Sequence, residues 1–334
     1  MSHTGSILFV YAETSLHAGS GTAVGAVDLP IQRERMSDLP LVQGSGIKGA
    51  LREQLKDTLS TLEHESDPKD HLWLTLFGNE PPKAGAADPD PFAGAVSLTD
   101  ARLLLFPVRT VVGGWAWATC PMILERLLRD LDTVGVPPPV WTVPVLEGEA
   151  ARVGQRCTVL AKGALLIEDL EYAAEREPQV DALAAWLKDN ALPSGAAAKS
   201  YSAFGDRLSG QLVVLPDTEL KFLAQHATEV VTRIRIDPET GTVAKGALWS
   251  EESLPAETVL YSLALFSDGR RPPPKSKGKD PSEKEPPKRT SYKDGELREA
   301  IRSAVEKKSR IQLGGDRTTG RGVVALRTTQ GGAR

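Results

Sequence analysis

Gly44-Ser45-Gly46-Ile47-Lys48-Gly49-Ala50-Leu51-Arg52 is the stretch on which the reading of the fold turns. It follows the apolar segment Leu39-Pro40-Leu41-Val42. It opens a run in which Ile47, Leu51, Leu55, Leu59 and Leu62 recur at helical spacing, with Lys48, Arg52, Glu53 and Lys56 among them. The glycines spell G-x-G-x-x-G, a pattern that can lay a pyrophosphate on a helix N-terminus. That chemistry also needs a second parallel strand ending in an acidic residue about 20 residues further on. The chain instead runs into Glu63-His64-Glu65-Ser66-Asp67-Pro68, a polar turn with no strand before it. A dinucleotide fold is therefore set aside. Two readings of Gly44, Ser45 and Gly46 remain. They are structural turn residues, or they form a backbone-phosphate site in which helix N–H groups act with Lys48 and Arg52, four residues apart on one face.

Working outward, Ser6 to Glu13 reads as an opening strand, followed by a turn-rich stretch with Gly19, Gly21, Gly25 and Pro30. Residues 78–94, rich in glycine, alanine and proline, predict a flexible loop. Val96 to Val112 is strand-like and Pro121 to Leu131 is a short amphipathic helix. Residues 137–200 show little pattern beyond a helix near 180–188. Val230 to Trp249 predicts a hairpin: Arg233 and Arg235 alternate with Ile234 and Ile236, then Asp237-Pro238-Glu239-Thr240-Gly241 turns the chain. A last helix, about 295–309, precedes a glycine-rich loop, Gly314 to Gly322.

Of the 334 residues, 40% are hydrophobic and 25% charged, enough for a sizeable core and too apolar for wholesale disorder. No apolar run approaches the ~20 residues of a membrane helix. Met1-Ser2-His3-Thr4 lacks the layout of a signal peptide. Cys120 and Cys157 stand alone, which argues against a disulfide framework or a zinc site. A cytoplasmic protein is expected. The net charge of −4 conceals an asymmetry: residues 270–293 hold nine Lys/Arg and three Asp/Glu, a local +6 that leaves −10 for the remainder. With six prolines, that segment reads as a disordered basic insertion, a solvated loop more than an RNA-binding arm. The overall charge does not exclude RNA, because binding depends on where the cations sit.

Several side chains can bear chemistry. Asp28, in a turn-rich loop, is suited to bind a divalent ion or orient a 2′-hydroxyl, and His17 nearby to move a proton. The competing reading is an Asx-turn aspartate and a structural histidine. Arg317 and Arg321 lie among the glycines of the 314–322 loop, which either admits a phosphate backbone or is a surface turn. Trp115 and Trp117 share one strand face, where core packing is the default over base stacking.

Taken in order, these segments resemble one family. They are His17-Ala18-Gly19-Ser20-Gly21, Val27-Asp28-Leu29-Pro30-Ile31-Gln32-Arg33-Glu34-Arg35, Gly44 to Arg52, Pro107-Val108-Arg109, Trp115 to Pro121, Arg235 to Val243, Gly246-Ala247-Leu248-Trp249 and Gly314 to Gly322. The set is similar to the backbone subunits of the type III-B CRISPR effector, the Cmr complex of the RAMP superfamily. The resemblance implies an α+β fold shaped as a right hand. A ferredoxin-like (RRM-type) palm, an insertion domain and a β-hairpin thumb would form one elaborated domain over residues 1–334, with 230–249 as thumb. It implies partners: CRISPR guide RNA, complementary target RNA, other Cmr subunits and further copies of the chain in a filament, with no membrane.

It also implies that Asp28 is required for target cutting, with His17 in support and a divalent ion, Mg2+ or Mn2+, held at Asp28. Arg33, Arg35, Gly44, Ser45, Gly46, Lys48, Arg52, Arg317 and Arg321 become the RNA-binding candidates. Glu251-Glu252-Ser253 is a possible source of a supporting acid. Met36 departs from the pattern, standing where relatives often carry histidine. Two alternatives stay open. One is a non-catalytic RNA-binding scaffold of the same complex; the other is a stand-alone RNA-processing nuclease using His17 as base.

Overall fold

The computed structural model describes residues 4–23, 25–62, 71–79, 92–146, 148–193, 198–270 and 292–329. Most of the expected 78–94 loop and of the expected 270–293 insertion lies outside the described residues. What is described of the loop's ends is a bridge between Gly78 and Ala93.

The chain begins with β1 (Thr4–Ala12), then β2 (Leu41–Val42), α1 (Gly44–Gln54), α2 (Lys56–Ser60) and α3 (His71–Phe77). Next come β3 (Val96–Leu98), β4 (Ala101–Thr110), β5 (Gly114–Thr119) and α4 (Pro121–Thr133). A middle region holds β6 (Ala151–Val153), β7 (Leu160–Ala161), β8 (Ala164–Ile167), β9 (Leu170–Arg176), α5 (Pro178–Asn190), α6 (Ala198–Gln211), β10 (Leu212–Val214) and α7 (Asp217–His226). The chain then forms β11 (Glu229–Ile236), β12 (Val243–Ser253), β13 (Val259–Phe266), α8 (Asp294–Lys307), β14 (Arg310–Gln312) and β15 (Val323–Thr328).

The centre is the antiparallel run β15-β1-β13-β4. β1 is buried from end to end, as a strand must be when both faces of its sheet are covered. Phe9 and Tyr11 meet Trp186, Tyr201 and Phe204 of α5 and α6 edge-on, while α8 packs on β1, β13 and β15. β4 continues into a second layer. There β4-β5-β10-β6-β9-β8 closes on itself through the pairing of Thr110 with Ile167, giving a barrel-like ring. Of this ring, β6, β8 and β9 fall in the stretch 137–200 that the sequence left unpatterned. β6 and β8 are three and four residues long, too short for a period of two to declare itself.

The apolar stripe over 47–62 forms two helices. Ile47, Leu51, Leu55 and Leu59 are all buried, but the first helix is capped at Leu55 and a new one begins at Lys56. Trp115 and Trp117 pack against each other at 4.2 Å. Trp117 is fully buried, and its indole N–H donates to the Glu257 carbonyl at 2.9 Å, so it belongs to the core.

The hairpin β11–β12 is a separate two-stranded ribbon, longer than expected by four residues at its root. Asp237 caps the turn, accepting from the Glu239 and Thr240 amides at 2.9 and 3.2 Å, and a bulge lies between Ile234 and Ile236. Val230, Ile234, Ile236, Val243 and Leu248 are all about half exposed or more.

Candidate nucleic-acid interface at the hairpin root

β12 pairs with β11 along one edge; its other edge, near the root, is where three distant segments meet. Asp28 Oδ2 accepts from the Ser250 amide at 2.7 Å and from Ser250 Oγ at 2.8 Å. The Asp28 amide donates back to Ser250 Oγ at 2.9 Å. Leu29 then bridges to β12 in parallel sense, its amide donating to the Ser250 carbonyl and its carbonyl accepting from the Glu252 amide, both at 3.0 Å. Asp28 itself is exposed. The hydrogen bonds from Ser250, backbone first, hold its carboxyl below the usual carboxylate range. The result is an ionised, oriented carboxylate facing solvent.

His17 is anchored two residues further along the same strand, about 7 Å of rise. Its Nδ1 donates to the Glu252 carbonyl at 2.6 Å, which leaves Nε2 as the acceptor nitrogen of the neutral ring. A Cβ at Gly19 would lie 2.7 Å from that Nε2, so the glycine is required by the close approach of the ring. The glycine-rich 314–322 loop arrives from the other side: the Gly315 amide donates to the His17 carbonyl at 2.9 Å.

Beneath this junction Glu251 is buried and shares a hydrogen bond with Asp316. Burial pushes the Glu251 carboxyl up, and the hydrogen bond from Glu251 holds Asp316 down. Arg233 reaches Glu251 at 3.6 Å and Asp316 at 3.3 Å, and Arg321 reaches Glu251 at 3.4 Å. Glu252, on the opposite side of the strand, is filled by Arg33 at 2.5 Å, the Thr228 hydroxyl at 2.8 Å and the Ile31 amide at 3.0 Å.

Solvent-facing Asp28 at the root of a ribbon with exposed apolar residues sets the context for the comparisons. The RAMP superfamily model matches residues 9–325. The chain belongs to this superfamily. It is 32% identical over 321 residues to the CRISPR system Cmr endoribonuclease Cmr4 of Pyrococcus furiosus, covering 95% of this chain and 93% of that one. Identity to the CMR subunit Cmr4 of Saccharolobus solfataricus is 26% over 333 residues, covering 96% and 94%. Among solved structures, oligomeric Cmr4 from Pyrococcus furiosus superposes with a TM-score of 0.65 at 22% identity, covering 98% and 99% of the two chains. A chain of the type III-B Cmr-beta complex in its apo state gives 0.66 at 22%, covering 98% of each.

The structure of this RAMP protein sorts the sequence candidates into two groups. His17, Asp28, Arg33 and Arg321 come together at the hairpin root, Arg33 and Arg321 with their guanidinium groups already paired to Glu252 and Glu251. Arg317 is exposed on a turn of the 314–322 loop and Arg35 on the bend after Arg33. The α1 candidates lie elsewhere. The Gly44 amide donates to Asp100 Oδ1 at 2.9 Å, so an acidic side chain already occupies the helix N-terminus. Lys48 donates to the Val96 carbonyl at 2.8 Å, and burial, with Arg52 beside it, lowers its pKa. Arg52 lies over the Trp73 ring at 4.9 Å. Ser45 and Gly46 are exposed.

Ser250, Arg233 and Asp316 were not singled out by sequence. Asp316 carried one legible signal, an acidic residue flanked by glycine and arginine in an otherwise basic loop. Among the described residues no three His, Cys, Asp or Glu side chains gather into a set able to hold a metal ion. Asp28 would offer a divalent ion a single protein carboxylate, leaving the remainder of its shell to phosphate oxygens and water. Among the described residues, too, no helix is long and apolar enough to cross a membrane.

Proposed function

We propose that this chain is a repeating backbone subunit of a cytoplasmic, guide-RNA-directed Cmr complex that cuts complementary target RNA at Asp28. Likeness to named Cmr4 proteins over nearly the whole chain supports the assignment. The observation that carries the active-site reading is the docking of Asp28 onto Ser250 at the hairpin root. We read β15-β1-β13-β4 as the ferredoxin-like palm. Its chain order, strand-helix-strand-strand-helix-strand through β1, α1, β4, β13, α8 and β15, supports that. We read the β4–β10 ring as the insertion domain and the β11–β12 ribbon as the thumb, its half-exposed Ile234, Ile236 and Leu248 suited to lie between bases.

In this reading RNA is held by shape and backbone, leaving sequence to base pairing. Prising one nucleotide from the stack frees its ribose to swing the 2′-hydroxyl in line with the adjacent phosphate. Orientation then supplies much of the rate. Asp28, fixed by Ser250 and ionised, accepts a hydrogen bond from that hydroxyl and sets its direction. As the oxygen attacks phosphorus its proton passes to Asp28, the 5′-oxygen of the next nucleotide leaves and takes a proton from water, and the products are a 2′,3′-cyclic phosphate and a 5′-hydroxyl. A divalent ion here would need RNA oxygens to complete its shell, and when bound would stabilise charge on the phosphate.

The test uses the complex assembled on guide RNA with end-labelled complementary RNA, with and without magnesium. Asp28→Ala is expected to assemble and bind target normally while the regularly spaced products disappear. Undiminished cutting by that variant would overturn the site. Binding without cutting by the unmodified complex would make the chain a scaffold.

A further inference from the structure

Beside the Asp28 loop lies an open cleft of about 590 Å³ that the functional reading has not used. One wall is built from the small residues of that loop, among them Val27 and Pro30. The facing wall is the end of α7 and the start of β11, presenting His226 and Val230, and Arg33 and Glu252 contribute to the lining. We infer that this cleft receives the single unstacked base of the RNA held at Asp28, with His226 as its stacking surface. The inference rests on the functional reading above and names the guest of the adjacent cavity.

Three features select a base over a phosphate. The cation in the lining is already spent: Arg33 binds Glu252 at 2.5 Å and the carbonyls of Asp38 and Ala224, each at 3.0 Å. An anion would meet a neutralised guanidinium and the Glu252 carboxylate beside it. A flat neutral ring meets apolar side chains on one wall and an imidazole on the other. That imidazole is braced by the Phe222 ring, 4.6 Å away and tilted by 45°. Phe222 is 47% exposed at a place where no core contact requires it. The volume lies within the range of sites for one small guest. Position agrees as well, because Val27 and Pro30 flank Asp28 and Leu29 directly in sequence. A ribose at Asp28 therefore places its own base within reach of the slot.

The experiment is a double-mutant cycle on the assembled complex, crossing His226→Ala with removal of one base from the target. Each complementary RNA carries a single abasic nucleotide, either at the cut position or three nucleotides away. In the unmodified complex the abasic cut-site target is expected to bind about tenfold more weakly, the scale of one base stack. His226→Ala should impose a similar loss on the normal target and no further loss on the abasic one. Phe222→Ala, also on the surface, should reproduce part of the effect. Equal losses for both targets with His226→Ala, or none, would overturn the proposal. So would equal weakening by abasic nucleotides at the two positions. Complexes that bind and show this coupling yet never cut would leave the cleft standing and retire the nuclease reading. Complexes that fail to bind complementary RNA at all would retire both.

Discussion

Among the described residues no set of carboxylate, histidine or cysteine side chains gathers around Asp28; its carboxyl is held by Ser250. Ser250→Ala removes both hydroxyl-mediated contacts but keeps the amide donor. Losing the hydroxyl loosens the carboxylate, so cutting should fall while target binding is unchanged. Equal cutting rates would show that the backbone alone positions the carboxylate. A second residue bears on stability. Glu257 sits at φ 72° in the turn between β12 and β13, where its carboxylate accepts from the Tyr11 hydroxyl. Burial raises its pKa from 4.5 to about 7. The folded chain keeps a proton there that the unfolded chain sheds, so stability falls as pH rises from about 4.5 through 7 and then levels off. Glu257→Gln should flatten that slope. Melting curves at pH 5 and pH 8 that differ as much in the variant as in the parent would refute the assignment.

At the scale of elements, the glycines of α1 separate by role. A Cβ at Gly44 would lie 2.4 Å from the Leu98 carbonyl oxygen, whereas one at Gly49 meets nothing within 4 Å. Gly44→Ala should therefore cost about 2 kcal/mol. Gly49→Ala should add about 0.5–1 kcal/mol through helix propensity. Chemical denaturation of the two variants compares them directly, and similar midpoints would mean the first glycine is not there for packing.

This pair also illustrates what the sequence could reveal. The apolar face of α1 and α2 was legible because Ile47, Leu51, Leu55 and Leu59 repeat over several turns. The hairpin was legible because two arginines alternate with two isoleucines ahead of a strong turn. The destination of Lys48 was not, since a lysine destined for a carbonyl of β3 looks the same in sequence as one facing a phosphate. Asp28 and His17 were nameable through resemblance, yet nothing local announced Ser250, 222 residues away, as the partner that orients Asp28. The closure of the ring escaped because short β6, β8 and β10 are joined to β9, β4 and β5 across long sequence separations.

On the scale of the whole molecule, the palm-like sheet and the ring share β4, and one continuous buried cluster runs from Ile7 through Trp117 and Leu183 to Leu326. Thermal unfolding is therefore expected as a single cooperative transition, despite the size of the chain. Two well-separated calorimetric peaks would show that the ring melts alone. The same sheet places β1 between β13 and β15, with Thr4 opposite Phe266 and Leu8 opposite Thr328. β1 therefore leaves the ribosome long before either of its neighbours is made. At ordinary rates of synthesis that wait is on the order of tens of seconds, during which the apolar run from Ile7 to Ala12 has no native edge to join. Each new chain thus starts with its central strand unpaired, a reason for nascent chains to be shielded from one another until β15 arrives.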